Sequence, residues 1–338
     1  MRRALPGLLA CIAIAVVARS LTAAIGLGIE TALALVIGVL VGSVPAIRPH
    51  LLAGAKFAAR SLLRIGVALL GARLTLAAVI EGGAAAAVGA AVIVLVGLGV
   101  TAWLARRAGL STRLGLLVAA GMAICGNSAI LALAPIVKAE DRETTYAVST
   151  ITLFGLIGVL VLPILGRAMG LADGVFGTWA GLSVNDTAQV VATGFAYSVP
   201  AGDVATVVKL TRNLAIAPLL IGATLLIPDA ARTSTRVAVV RAVPWFVVGF
   251  VALAALRSIG ALDVPMPWGG TLADTLSIAA GWLILVALAG VGASADLRAT
   301  LAIGPRPLAV GVAAWAVILI LGLGLAMVIG PTVYDGVQ

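Results

Sequence analysis

LLVAAGMAICGNSAILALAPIVK, residues 116–138, is long and apolar enough to enter a lipid bilayer, yet Cys125-Gly126-Asn127-Ser128 interrupts it midway. Crossing a bilayer takes roughly 20 apolar residues, which sets this polar break near the midplane. Hydrocarbon offers no water to a freed N–H or C=O. A broken helix survives there only when it lines a protein-enclosed cavity. Each half-helix end then points unpaired backbone groups at that cavity, as in the substrate and ion sites of secondary transporters. A small-residue notch between intact helices would carry the same Gly and Ser. This stretch alone leaves both readings open.

Composition sets the class. Hydrophobic residues make up 62% of the 338 and charged ones 10%, against about 25% charged in a soluble globular domain. Apolar stretches recur along the whole length, so the chain reads as an all-α polytopic membrane protein. The net charge of +9 comes from basic residues in short loops between apolar segments. That distribution follows the positive-inside rule and points away from a nucleic-acid partner. The two cysteines, Cys11 and Cys125, lie in apolar runs and suggest no disulfide framework. Met1-Arg2-Arg3 before an apolar run resembles a signal-peptide start, with Ser20, Ala23 and Ala24 near a cleavage-like position. A retained first helix is favoured, because the topology needs it. His50 reads as a solvated loop residue. No metal spacing, Gly-rich phosphate loop or Ser-His-Asp set occurs, and no histidine is placed to activate Cys125. The sequence therefore implies neither an enzyme nor a cofactor.

Hydropathy gives eleven candidate spans: 4–20, 28–45, 60–80, 84–104, 114–138, 145–168, 174–198, 203–227, 241–260, 270–295 and 306–330. Arg2/Arg3, Arg48/His50/Lys56, Arg106/Arg107/Arg113, Arg232/Arg236/Arg241 and Arg298/Arg306 then fall on one side. Glu81, Glu140/Asp141/Glu143, Asp203 and Asp263/Asp274 fall on the other. Lys and Arg mark the cytoplasmic face, which gives a cytoplasmic N-terminus and an external C-terminus.

Matches five spans apart suggest an internal repeat. Arg64-Ile-Gly-Val-Ala-Leu-Leu-Gly-Ala resembles the stretch from Arg212, and Leu117-Val-Ala-Ala-Gly-Met-Ala-Ile resembles the stretch from Leu276. Ile37-Gly-Val-Leu-Val-Gly-Ser weakly matches the stretch from Ala180. An odd offset inverts the copies. The reading is an N-terminal extra helix over 1–27 and two inverted five-helix repeats, 28–170 and 171–338, with crossing broken helices. It expects a second break in span ten, at Leu288–Ser294, where Gly290, Gly292 and Ser294 permit unwinding. Close helix packing is the rival reading of those glycines.

Span seven carries Ser183, Asn185, Asp186, Thr187 and Gln189, with Asp186 and Gln189 on one helical face. Ionisable groups inside spans are costly and usually functional. A re-entrant span seven, merely capped by these groups, is the alternative. In span eight Lys209 and Arg212 sit three apart, with Asn213 alongside. Arg212 lies roughly 13 Å past Asp203 at 1.5 Å per residue, too deep for easy snorkelling. An oxyanion suits its planar fork, and an ion pair with Asp186 is the structural alternative. Arg60 and Arg64 hold corresponding places in span three, near its cytoplasmic end, where snorkelling competes with function.

Ala123-Ile-Cys-Gly-Asn-Ser-Ala-Ile130, Tyr146-Ala-Val-Ser-Thr-Ile-Thr-Leu-Phe-Gly155, Trp179-Ala-Gly, Ala188-Gln-Val-Val-Ala192 and Val208-Lys-Leu-Thr-Arg212 resemble the sulfate-exporter family of bacterial inner-membrane proteins, the YeiH type. The resemblance runs from about Leu51 to Val328. It implies kinship with bile-acid/sodium symporters and cation–proton antiporters, hence two inverted five-helix repeats, and an export activity that is itself inferred. Two departures stand out: Asn127 replaces a small residue of that family, and Asn185-Asp186 replaces its His-Glu. The missing histidine is the side chain that titrates nearest physiological pH.

The expected function is secondary active transport of a small anion, sulfate or an organosulfonate, across the bacterial inner membrane. The expected site comprises Cys125, Gly126, Asn127, Ser128, Asn185, Asp186, Gln189, Lys209, Arg212, Gly290, Gly292 and Ser294. Lys209 and Arg212 attract the anion, half-helix N-termini near Asn127 and Ser128 donate N–H groups to it, and Asp186 carries a coupling proton or pairs with the basic residues between cycles. Rival readings are Na⁺- or H⁺-coupled symport of another solute and a non-transporting receptor or scaffold. A homo-oligomer stays open.

Overall fold

The computed structural model describes residues 4–25, 29–226, 244–295 and 304–337. Arg2, Arg3, Arg232, Arg236, Arg241 and Arg298 lie outside the described residues. Apart from one isolated bridge between Pro265 and Thr271, the regular structure described is helical. In chain order the helices are α1 (Leu5–Ile25), α2 (Glu30–Gly42), α3 (Arg48–Phe57), α4 (Leu63–Leu70), α5 (Leu76–Arg107), α6 (Thr112–Ala123), α7 (Asn127–Leu133) and α8 (Asp141–Ala168). Then come α9 (Asp173–Ser183), α10 (Thr187–Tyr197), α11 (Val199–Asn213), α12 (Ile216–Leu226), α13 (Trp245–Ser258), α14 (Leu272–Ser294) and α15 (Pro305–Val337). Among the described residues, six helical stretches are long and apolar enough to cross a membrane: α1, α5, α8, α11 with α12 to Leu225, α14 and α15. Shorter apolar helices pack among them. The protein is thus a polytopic, all-helical membrane protein.

A π-helical turn, Ala58–Leu62, joins α3 to α4, so span three runs unbroken from Arg48. Pro in its first turn fits a helix start, where the missing N–H costs nothing. The sequence-based start at residue 60 is therefore about 12 residues late.

Helix ends gather on two faces. On one, here the basic face, Arg48 donates to Gly42 O (3.0 Å) and Ala295 O (2.8 Å). The end of α5 there presents Arg106 and Arg107. Ser111, Arg142, Tyr146 and Arg306 share a cavity of about 390 Å³ on this face. On the opposite face Arg73 pairs with Asp203 (3.1 Å), and Leu76 N donates to Ser258 Oγ.

Two segments enter without crossing. Ser111, at the mouth of α6, donates to the Glu143 carboxylate at the start of α8. Halfway in, Gly121 meets Ile130 and Ile151. The chain therefore goes in along α6, turns at Ile124–Gly126, and returns along α7 to the face it left. At the opposite face Arg167 Nη2 donates to Ala196 O (2.7 Å) and Ser198 Oγ to Asp173 Oδ1 (2.6 Å). Phe176 stacks on Tyr197 with ring centroids 3.9 Å apart. Both ends of α9–α10 thus lie together, and the turn is at Val184–Asp186. Spans five and seven are re-entrant hairpins, one from each face.

This corrects the loop assignment. Glu140, Asp141 and Glu143 share the face of Arg106, Arg107 and Arg113, and Arg167 and Asp173 share that of Asp203. Removing two crossings leaves Leu5 and Val337 at opposite ends of the bundle, since α15 runs antiparallel to α5 with Gly82 against Val337. Single cysteines placed by Arg113→Cys and Glu140→Cys should therefore react with an impermeant maleimide from the same side of the membrane. Reaction from opposite sides would restore a crossing at 112–133.

The second break expected at Leu288–Ser294 is absent: α14 is helical from Leu272 to Ser294. Its glycines serve close approach instead. A Cβ on Gly292 would lie 2.2 Å from Leu35 O, and one on Gly290 2.6 Å from Ala55 O. Small residues let backbones touch where lipid supplies no hydrophobic drive. Ser294 Oγ returns to Val291 O within its own helix. Gly292→Leu should lower stability by about 1–3 kcal/mol through overpacking, read as a fall in the melting temperature of detergent-purified protein. An unchanged melting temperature would contradict the packing.

Candidate functional site

The two hairpin tips meet in the middle of the bundle. A Cβ on Gly126 would lie 3.2 Å from the Asp186 backbone, and Asn185 Nδ2 reaches Met122 Sδ at 3.4 Å. Gly126 makes the first tip: it holds φ +64°, a region open chiefly to glycine. Its N–H closes a six-residue turn on Gly121 O (3.1 Å), as at many helix C-termini. Asp186 makes the second tip, capping α10 through Oδ1, which accepts from Ala188 N at 2.9 Å.

A helix that stops inside a bundle strands its last carbonyls. Here α6 and α9 both stop at the tips, and α11 supplies the donors. Lys209 Nζ donates to Ile124 O (2.8 Å), Val184 O (3.1 Å) and Asn185 O. Arg212 Nε donates to Ala123 O (2.7 Å), and Nη2 to Met122 O. Its Nη1 donates to Leu182 O (2.7 Å), Val184 O (3.1 Å) and, longer, Gly181 O (3.4 Å). Both side chains are fully buried. Each helix C-terminus carries roughly half a negative charge, which the basic side chains of α11 offset. The α11 pair rivets one hairpin to the other.

The ion pair with Asp186 expected from charge alone does not form. Both cations spend their N–H groups on backbone carbonyls, and Asp186 turns to its own helix. Sequence shows charges but not stranded carbonyls, so the cations' partners were not visible there.

Nine of the twelve sequence-derived residues gather around the tips. Cys125, Asn185, Gln189, Lys209 and Arg212 are buried, Asn127 and Asp186 are half-buried, and Ser128 is exposed. Gln189 Nε2 donates to Thr152 O (3.1 Å) and lies against Gly155. The side-chain oxygens of Asn127, Asn185, Gln189 and Asn213 find no donor among the described residues. Gly290 and Gly292 instead pack against α3 and α2, and Ser294 bonds within its own helix. Sequence reasoning left two residues out of the site. Asn213 Nδ2 reaches Thr187 Oγ1 at 3.3 Å, and Arg64 lies within electrostatic reach of Asp186. The signal for Arg64 was the Arg48-Pro49 helix start, which places it mid-span.

Helical hairpins that meet between two membrane faces, tied by buried cations, define a multi-pass membrane protein with a discontinuous-helix centre. The chain belongs to the family described as conserved hypothetical protein 698, whose profile matches residues 6–311. It is 36% identical to UPF0324 membrane protein blr3189 of Bradyrhizobium diazoefficiens, over 96% of this chain and 92% of that one. It is 31% identical to UPF0324 membrane protein BR0028/BS1330_I0028 of Brucella suis, over 88% and 87%. It is 30% identical to UPF0324 membrane protein SAG1125 of Streptococcus agalactiae, over 96% and 98%. The YeiH-type resemblance is consistent with this family. No solved structure matches the chain.

Proposed function

We propose that this protein is a secondary active transporter that moves a small anion, sulfate or an organosulfonate, across the bacterial inner membrane by alternating access. One observation carries the transporter reading: half-membrane hairpins from opposite faces meet tip to tip in the middle of the bundle; the anion itself is suggested by the resemblance to the YeiH-type sulfate exporters. Discontinuous helices at the midplane are a recurring solution for substrate sites in transporters. The halves 28–170 and 171–338 hold one hairpin each, and their entry from opposite faces supports an inverted relation between them. The basic face is cytoplasmic in this reading, by the positive-inside rule, which puts the N-terminus inside and the C-terminus outside.

A coupling cation, H⁺ or Na⁺, is favoured by the unpartnered oxygens of Asn185, Gln189 and Asn213 beside Asp186. Proteoliposomes loaded with purified protein should take up labelled sulfate down an imposed gradient, and replacing Na⁺ or collapsing the pH gradient identifies the coupling ion. Uptake no faster than in empty vesicles, across sulfate and simple sulfonates, would leave a receptor or scaffold as the better reading.

A further inference from the structure

We propose that Arg64, on α4, is the residue that contacts the transported anion directly. The inference rests on the anion-transport reading and assigns its site a residue outside the hairpins.

Arg212 and Lys209 have few donors left, since eight hydrogen bonds to carbonyls occupy them. They are also sealed from solvent. An incoming anion would have to break that set to reach them. Arg64 is in the reverse condition. Its residue is exposed, and no hydrogen bond or ion pair engages it among the described residues.

Arg64 is also deep. It lies 16 residues beyond Arg48 on a continuous helix, roughly 24 Å at 1.5 Å per residue. Towards the other end, Arg73 is nine residues on, roughly 13 Å. Neither interface is within easy reach of a snorkelling side chain, and an unmatched charge at such depth is expensive. Asp186 is an opposite charge within its electrostatic reach, and that carboxylate is committed to the α10 cap through Oδ1.

The surroundings make a place for a ligand. Asp186, Thr187 and Asn127 are only half-buried and Ser128 is exposed, although all four belong to hairpin tips in the middle of the bundle. The tips are therefore not fully closed over by protein, and Arg64 lies within electrostatic reach of Asp186 there. The π-helical turn Ala58–Leu62 lies immediately before α4. Such turns insert an extra residue, rotate the helix beyond them and cluster at functional sites. A guanidinium offers two parallel N–H donors, matched to two oxygens of a tetrahedral oxyanion. Asp186 holds Arg64 by charge when the site is empty and yields it to the anion on loading.

The test is the thermal stabilisation of detergent-purified protein by sulfate and by methanesulfonate, because a ligand that binds only the native state raises its stability. Arg64→Gln should weaken binding roughly 10- to 100-fold, the worth of a charge-assisted hydrogen bond. The ligand-free variant should stay folded and monodisperse, since no hydrogen bond or ion pair of Arg64 joins helices among the described residues. Arg64→Lys should bind at an intermediate level. Sulfate should also shield a thiol placed by Ser128→Cys from maleimide while Arg64 is present, and shield it far less alongside Arg64→Lys, which covers the case of a poorly folded glutamine variant. Wild-type affinity in Arg64→Gln, or equal protection of Ser128→Cys with Arg64 and with Arg64→Lys, would overturn the assignment while leaving the anion reading intact. No stabilisation of the wild type by either anion would overturn both.

Discussion

Arg212→Met is expected to leave no folded protein in the membrane. The substitution keeps most of the volume but strands Met122 O, Ala123 O, Gly181 O and Leu182 O, while Val184 O keeps its bond from Lys209. Each buried acceptor left without a donor costs about 1–3 kcal/mol. Four of them remove at least about 4 kcal/mol, close to the whole stability of an ordinary domain at roughly 5–15 kcal/mol. Fluorescence-detected size exclusion of the tagged variant should show aggregate or no peak. Arg212→Lys should recover part of the signal, because an ammonium supplies three donors but not the fork. A monodisperse Arg212→Met with a wild-type melting temperature would mean that the rivet does not hold the hairpins together.

Gly126→Leu should abolish transport while the protein still reaches the membrane. Only glycine holds φ +64° there without strain, and a side chain adds about 1–3 kcal/mol in such a region. The new Cβ would also press on the Asp186 backbone at 3.2 Å. Those costs are smaller than the loss of Arg212, so the fold should persist with its tips pushed apart. Immunoblotting should find near-normal membrane levels, and proteoliposome uptake should fall to background. Undiminished uptake would mean that the tips need not touch.

Much of this arrangement could be read from residue types. The Cys125–Ser128 break, the polar content of Ser183–Gln189 and the Lys209–Arg212 pair all mark real features of the centre. Hydropathy could not separate a broken helix that crosses from a hairpin that returns. Both give about 20 apolar residues with a polar middle. The distinction rests on contacts such as Ser111 with Glu143 and Phe176 with Tyr197, which join positions 32 and 21 apart. Gly290 and Gly292 misled for a related reason: a glycine that permits unwinding and one that permits contact are the same letter. Arg64 was undervalued because the apolar run starts only near residue 60, past the loop-like Arg48-Pro49-His50 that begins the helix.

The rivet also orders the making of the protein. The carbonyls of Met122, Ala123 and Ile124 leave the ribosome well before their donors, since Lys209 lies 85 residues beyond Ile124. At roughly 5–20 residues per second that is a wait of about 4–17 s. Through that interval the first hairpin has no intramolecular way to satisfy its tip and belongs at the wet interface rather than in hydrocarbon. Insertion of α11 then draws both hairpins inward together. A nascent chain stopped before Lys209 should leave residues 112–133 open to protease, and one stopped beyond α12 should close them.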